Sequence, residues 1–255
     1  GNVSMNFSPY TLSGHQFTGG GVDLAPPGDF TISAMAGQLL KATPDDGDER
    51  TIPAFSRMGY GIKAKYEKER YKVGVIGFYA KDNITSIDSV PEVKGILPKE
   101  NLVVSVNTEV KITNEFTLAA EYAATAITQD LRAEESSEGA KGVSSVLFNN
   151  RSSTEYYKAF NANLNYSIGR TSVGIGYERI DPGYETLGAY FFNNDFENIT
   201  LNTASSFFQD KLTLAMNVGY QRDDLQNSKP NATNRIVGAI NAGYTFSDRL
   251  NVTGS

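Results

Sequence analysis

His15 is the sole histidine of the chain and stands in Ser8-Pro-Tyr-Thr-Leu-Ser-Gly-His15. A hydrolytic reading would pair it with Ser8 or Ser13 and a carboxylate, but nothing in the spacing fixes that geometry. It reads instead as a loop histidine making a structural hydrogen bond. Asp45-Asp-Gly-Asp-Glu49 could chelate calcium, yet it lacks the alternating ligand spacing of an EF-hand and reads as a solvated turn. Gly19-Gly-Gly21 has no helix after it to complete a phosphate loop. Cysteine is absent, which removes disulfides, thiolate metal sites and cysteine nucleophiles together. The residues predict no catalytic constellation, no metal site and no cofactor, so the chain is not expected to be an enzyme.

The polar residues with the most regular spacing lie two apart. Glu109 and Lys111, Glu121, then Asn161, Asn163 and Asn165, and later Asn217 and Gln221, alternate with apolar neighbours. A period of two is the pattern of half-buried antiparallel strands. In Leu102–Ile112 the apolar face is Leu102, Val104, Val106, Thr108, Val110 and Ile112, with Ser105, Asn107, Glu109 and Lys111 opposite. Similar segments are expected near residues 29–41, 55–67, 70–81, 101–112, 115–128, 155–168, 171–180, 197–208, 211–222, 234–246 and from 249 onward. One or two more are expected within 2–24, giving about 12–14 strands in all.

The connections alternate in length. Short ones fall at 67–70, 113–115, 169–170, 209–211 and 247–249, and long ones at 42–54, 82–100, 129–154, 181–196 and 223–233. Successive antiparallel turns sit at opposite ends of a sheet, so one end carries tight turns and the other long loops. Transmembrane β-barrels are built that way. Residues 181–197 hold Asp181, Glu185, Asp195 and Glu197 with no Lys or Arg, which predicts an acidic long-loop face.

Aromatic residues gather at strand ends on the apolar faces. Tyr66, Tyr71, Phe116, Tyr166, Phe207 and Phe246 lie beside short turns, and Tyr60, Tyr79, Tyr156, Tyr177 and Tyr220 toward long loops. From Tyr156 to Tyr166 the rise is roughly 33 Å, or about 25 Å along the normal at ~40° tilt, the height of a barrel's apolar band. Small and aliphatic residues such as Val75 and Leu214 are expected mid-belt. Two aromatic girdles around an aliphatic belt suit lipid, whereas a protein core places its largest residues centrally. The apolar face is therefore read as facing lipid, and Glu109, Lys111, Glu121, Asn161, Asn163, Asn165, Asn217 and Gln221 as lining a wet lumen.

The 255 residues carry 23 basic and 29 acidic side chains, a net charge of −6, and no basic cluster that would suit nucleic acid. Mean hydropathy is −0.34, and no run approaches the ~18 apolar residues of a spanning helix. Val73-Gly-Val-Ile-Gly-Phe-Tyr-Ala80 is about the longest. A barrel gives the same polar average, because only alternate residues meet lipid. The opening residues Gly1–Phe7 lack the basic and apolar regions of a signal peptide, so the chain reads as mature or as a piece of something longer.

Asp181-Pro-Gly-Tyr-Glu-Thr-Leu-Gly-Ala-Tyr-Phe-Phe-Asn-Asn-Asp195 leaves a strand by a turn and then sets a run of aromatics in a long loop. It is expected to fold onto a barrel rim or into the lumen. This segment, with Asn6–His15, Ile32–Gly37 and Arg57–Tyr60, resembles large outer-membrane β-barrel proteins of Bacteroidota. The resemblance implies an outer-membrane location and a longer parent protein, and brings no catalytic residue with it.

The expectation is an all-β chain, a single segment 1–255 of an antiparallel up-and-down transmembrane β-barrel in a bacterial outer membrane. Its role would be transport through a pore, or that of a subunit in an export assembly. The alternatives are a partner-binding outer-membrane scaffold with a plugged lumen and a soluble adhesion-type β-sandwich. Expected partners are outer-membrane lipid and other outer-membrane or surface proteins bound through the long loops. The last strand, launched near Arg249, is shorter than the ~9–11 residues needed to cross a bilayer, which predicts that these strands belong to a larger barrel.

Overall fold

Alternation of period two becomes strand wherever it occurs. The computed structural model describes residues 1–48, 50–88, 94–136, 148–228, 231–247 and 250–254. Its strands are β1 (Asn2–Ser4), β2 (Gln16–Leu24), β3 (Phe30–Leu40), β4 (Ser56–Glu67), β5 (Tyr71–Asn83), β6 (Glu100–Lys111), β7 (Phe116–Thr128), β8 (Thr154–Ile168), β9 (Thr171–Ile180), β10 (Phe196–Phe207), β11 (Leu212–Asp223), β12 (Asn234–Ser247) and β13 (Leu250–Gly254). The expected boundaries hold to within two residues. Arg249 lies outside the described residues.

All thirteen strands form one sheet in chain order, each antiparallel to the next. Among the described residues β1 and β13 do not pair with each other, so the thirteen strands are part of a barrel wall. The meander puts every short turn at one end and every long loop at the other.

The register shows how the strands lean. Phe30, Tyr66, Val73, Thr108, Ala120, Ala162, Tyr177, Ile199 and Tyr220 face one another in turn across successive pairs. Tyr66 is one residue from the short-turn end of β4, and Tyr220 is eight residues from that of β11. The row therefore climbs seven residues over seven pairings. One residue of rise per strand spacing, ~3.3 Å in ~4.8 Å, is a tilt of about 35°, within the range that barrels adopt.

The two faces differ in kind. On one face Ile62, Val75, Ile175 and Leu214 are 55%, 49%, 57% and 40% exposed, in a sheet-wide apolar surface. On the other, Ile76, Phe78, Val103, Ala123, Ile127 and Ala159 are buried. A water-facing protein rarely exposes an apolar patch beyond a few hundred Å².

Candidate channel interior

What buries the inner face is the chain itself. Residues 7–15 and the β9–β10 loop fold inward and lie against β3 to β9. The Phe7 carbonyl accepts from Lys63 Nζ on β4 at 2.7 Å. Three residues on, the Tyr10 hydroxyl donates to Glu178 Oε1 on β9 at 2.7 Å and accepts from Asn161 Nδ2 on β8 at 2.9 Å. Across a flat sheet β4 and β9 would stand about 24 Å apart, well over the ~10 Å that three residues span. The long side chains of Lys63 and Tyr10 make up part of the difference, and the sheet curls around the segment for the rest.

The two segments hold each other as a plug. Tyr184 donates its hydroxyl to the Tyr10 carbonyl at 2.8 Å, and Thr186 donates to that of Thr11 at 2.7 Å. Ser13 N donates to Gly188 O at 2.9 Å, and Ala189 bridges Ser13 and Gly14. Gly188 is required by contact: a Cβ there would sit 2.5 Å from the Thr11 carbonyl and 2.9 Å from the Phe78 ring. Burial pushes the Tyr10 hydroxyl well above its ordinary pKa, with the Glu178 hydrogen bond adding to the shift. Burial likewise raises Tyr184. Both stay protonated donors.

Polar groups pin the plug to the wall. Asn101 receives Leu187 N at 3.0 Å on its Oδ1 and donates to Thr125 Oγ1 at 2.7 Å and to Ala126 O at 3.0 Å. Thr125 donates in turn to Glu185 O at 2.9 Å. At the rim, Arg57 grips buried Asp82 through two hydrogen bonds of 2.7 and 2.9 Å, and Lys99 holds Glu185 at 3.0 Å. His15 is buried, stacks on Tyr190 with ring centroids 4.1 Å apart, and approaches Gln16 O through Nδ1 at 2.7 Å. Burial lowers its pKa and keeps the ring neutral. It has a structural role here, and among the described residues no serine or carboxylate is aligned on it. Asp45 pairs with Lys94 at 2.7 Å, and among the described residues no group of side chains has the makings of a metal site.

All eight expected lumen residues fall on the inner register, but they do not form one wet lining. Glu121 is buried under the plug and accepts from Ser105 Oγ at 2.5 Å, and Asn161 supports Tyr10. Nearer the short turns, Glu109 pairs with Lys72 at 3.0 Å and Lys111 is exposed at the end of β6. Asn163 and Asn165 continue the β8 row, Asn217 donates to Asn202 Oδ1, and Gln221 accepts from Arg235 Nε at 2.9 Å. The half of the β3–β9 interior nearest the long loops is thus a dry core where a wet lumen was expected, because inner-face positions such as Ile76, Phe78 and Val103 are apolar.

The aromatics stand on the outer register at two levels. Phe30, Tyr66, Tyr71, Phe116, Tyr166 and Phe207 lie within two residues of the short-turn ends, where Phe30–Tyr66 and Phe116–Tyr166 rings pack at 4.6 and 4.5 Å. Tyr60, Tyr79, Tyr122, Phe160, Tyr177 and Tyr220 lie six to eight residues up their strands. Tyr122 and Phe160 read from the sequence as outward-facing but not as girdle residues, because each looks mid-strand until the strands are aligned from their turns. Tyr156 stands above the second level and bonds Asn150, the Phe246 side chain lies outside the described residues, and Leu214 is near the turn level rather than mid-belt.

Three of the four acids of residues 181–197 pair with basic side chains, and the fourth is held by a backbone amide. Glu185 pairs with Lys99, Asp181 with Arg179 at 3.6 Å, Glu197 with Arg222 at 2.6 Å, and Asp195 accepts from Leu225 N at 2.9 Å.

No protein-family model and no curated protein matches the chain. Among solved structures it is similar to OccAB1 of Acinetobacter baumannii, with a TM-score of 0.53 and 14% identity, covering 96% of this chain and 62% of that one. OccK5 (OpdH) of Pseudomonas aeruginosa gives 0.51 and 12%, covering 97% and 67%. OpdK of the same organism, solved with vanillate, gives 0.50 and 12%, covering 93% and 62%. The chain thus spans a little under two thirds of OccAB1 and OpdK. These neighbours are outer-membrane channels, and the shared fold is that of a bacterial outer-membrane β-barrel.

Proposed function

We propose that the chain forms part of a transport channel in a bacterial outer membrane, of the kind it resembles in Bacteroidota, with the inward-folded plug as its gate. The observation that carries this reading is the pairing of an exposed apolar outer face with an inner face that is polar below a self-contained plug. The two aromatic levels, about 7 residues apart, stand ~19 Å apart along the normal at a ~35° tilt. They serve as girdles at the two lipid–water boundaries. Outer-membrane lipid is then the partner of the outer face. The long loops, several of whose acids are tied to basic side chains or backbone amides, offer other surface proteins shape, hydrogen bonds and a residual negative charge.

The absence of native cysteines makes a direct test simple. Ser13 and Ala189 are bridge partners between the plug segments, close enough for an engineered disulfide. In planar bilayers the oxidised Ser13→Cys/Ala189→Cys protein should conduct little, and reductant should restore the current. The dense packing of Tyr10 and Tyr184 favours a second reading, a permanently plugged scaffold. In that case neither the wild type nor the reduced variant would conduct.

A further inference from the structure

The inner wall changes chemistry around its circumference. On β4 to β6 the inner register carries Lys63, Lys65, Lys72, Glu109 and Lys111. On β8 to β12, between the short turns and Glu178, Asp223 and Arg235, the inner register holds no charged side chain. It holds amides: Asn163, Asn165, Asn198, Asn202, Asn217 and Asn241.

These amides border two adjoining hollows. One of about 260 Å³ is lined by Asn161, Asn163 and Asn198, with Glu178, the acceptor of the Tyr10 hydroxyl, at its upper edge, and one of about 250 Å³ by Asn165, Asn202, Asn217 and Asn241. Asn202 and Asn217 bond each other. The side chains of Asn163, Asn165, Asn198 and Asn241 make no hydrogen bond among the described residues. Gly176 gives the first hollow its floor, since a Cβ there would meet Thr200 Oγ1 at 2.4 Å and Asn163 Oδ1 at 2.7 Å.

We infer that this amide strip is a binding track for neutral, hydroxyl-rich solutes of the saccharide class. A hydroxyl is at once donor and acceptor, and a side-chain amide offers both functions on one rigid plane. An anionic solute would give up hydration here without meeting a counter-charge, the nearest charge being the Glu178 carboxylate. The hollows lie one above the other along β8 and β9, two residues apart, so a linear oligosaccharide can engage both. The inference rests on the channel reading and narrows it to a substrate class.

The test separates the two. Conductance of the full protein in KCl alone reads the channel, and calorimetric titration of the detergent-solubilised protein reads the strip whether or not current flows. Maltotriose should bind saturably, and trigalacturonate, its charged counterpart in size, at least about tenfold more weakly. Asn163→Leu/Asn202→Leu should weaken maltotriose about tenfold through lost hydrogen bonds. Gly176→Ala, which displaces the Asn163 amide while adding one methyl, keeps the test decisive if the double variant fails to fold, and should weaken binding several-fold. Equal affinity for the two sugars, unchanged affinity in the variants, or tighter binding of an uncharged hexapeptide than of maltotriose overturns the inference.

Discussion

The hydroxyl of Tyr10 and the carboxylate of Glu178 meet at 2.7 Å across 168 positions of sequence. Tyr10 belongs to the plug and Glu178 to the wall, so the contact is a latch. Tyr10→Phe leaves Asn161 without its acceptor and Glu178 without its donor. Undocking of the plug should become easier by about 1–3 kcal/mol, as a hydrogen bond to a charged group is lost. Hydrogen exchange across residues 7–14 would register the change, and protection equal to wild type would remove Tyr10 from this role.

Gly188 supplies the second prediction. Its missing side chain lets the β9–β10 loop touch the Thr11 carbonyl and the Phe78 ring. Gly188→Ala must push the two plug segments apart. In bilayers the variant should open more often than wild type, while its heat-modifiable gel mobility, a measure of barrel folding, stays the same.

Depth in the bilayer grades the third. Val75 lies four residues from the short-turn end of β5, midway between the aromatic levels, and Leu214 lies two residues from that of β11. Arginine at a midplane position costs about 2–4 kcal/mol, and near an interface about 0–1. Refolding into lipid vesicles should therefore find Val75→Arg strongly destabilised and Leu214→Arg nearly neutral. Equal costs would remove the assigned membrane frame.

The fourth concerns pH. Burial lowers the pKa of His15 in the docked plug, with the neighbouring Arg57 charge acting the same way. An undocked His15 titrates near ~6.5. Above that value both states are neutral and docking is at full strength. As pH falls below it, the undocked state takes up the proton first, so docking weakens progressively toward the lower, docked pKa. Protease sensitivity of residues 7–15 should rise below about pH 6.5 and do so less in His15→Gln. A plug that tightens on acidification would contradict the assignment.

The walls of this protein were legible in its sequence and the plug was not. Val104, Val106 and Glu109 reveal their faces by alternation, and loops of unequal length reveal which end is which. The segment Asn6–His15 has no period, because its register is set by contacts with Lys63, Glu178 and Gly188 that are remote in the chain. One sign was present. Val73–Ala80 abandons alternation, with Val75 and Ile76 both apolar, as do Gly77, Phe78 and Tyr79. Such a run marks a strand apolar on both faces, and here one face is the exposed outer surface while the plug covers the other. The two aromatic levels were half visible, since Tyr122 and Phe160 join the upper one only when the stagger between strands is known.

That stagger, one residue per strand, has an evolutionary meaning. Each strand runs antiparallel to the next, so a single strand could not be gained or lost without leaving two neighbours parallel. A hairpin brings two strands and two residues of climb, and leaves every other face where it was. The wall is built in units that can be copied or deleted in pairs, and its circumference can change across descendants while the chemistry of each surviving strand is kept.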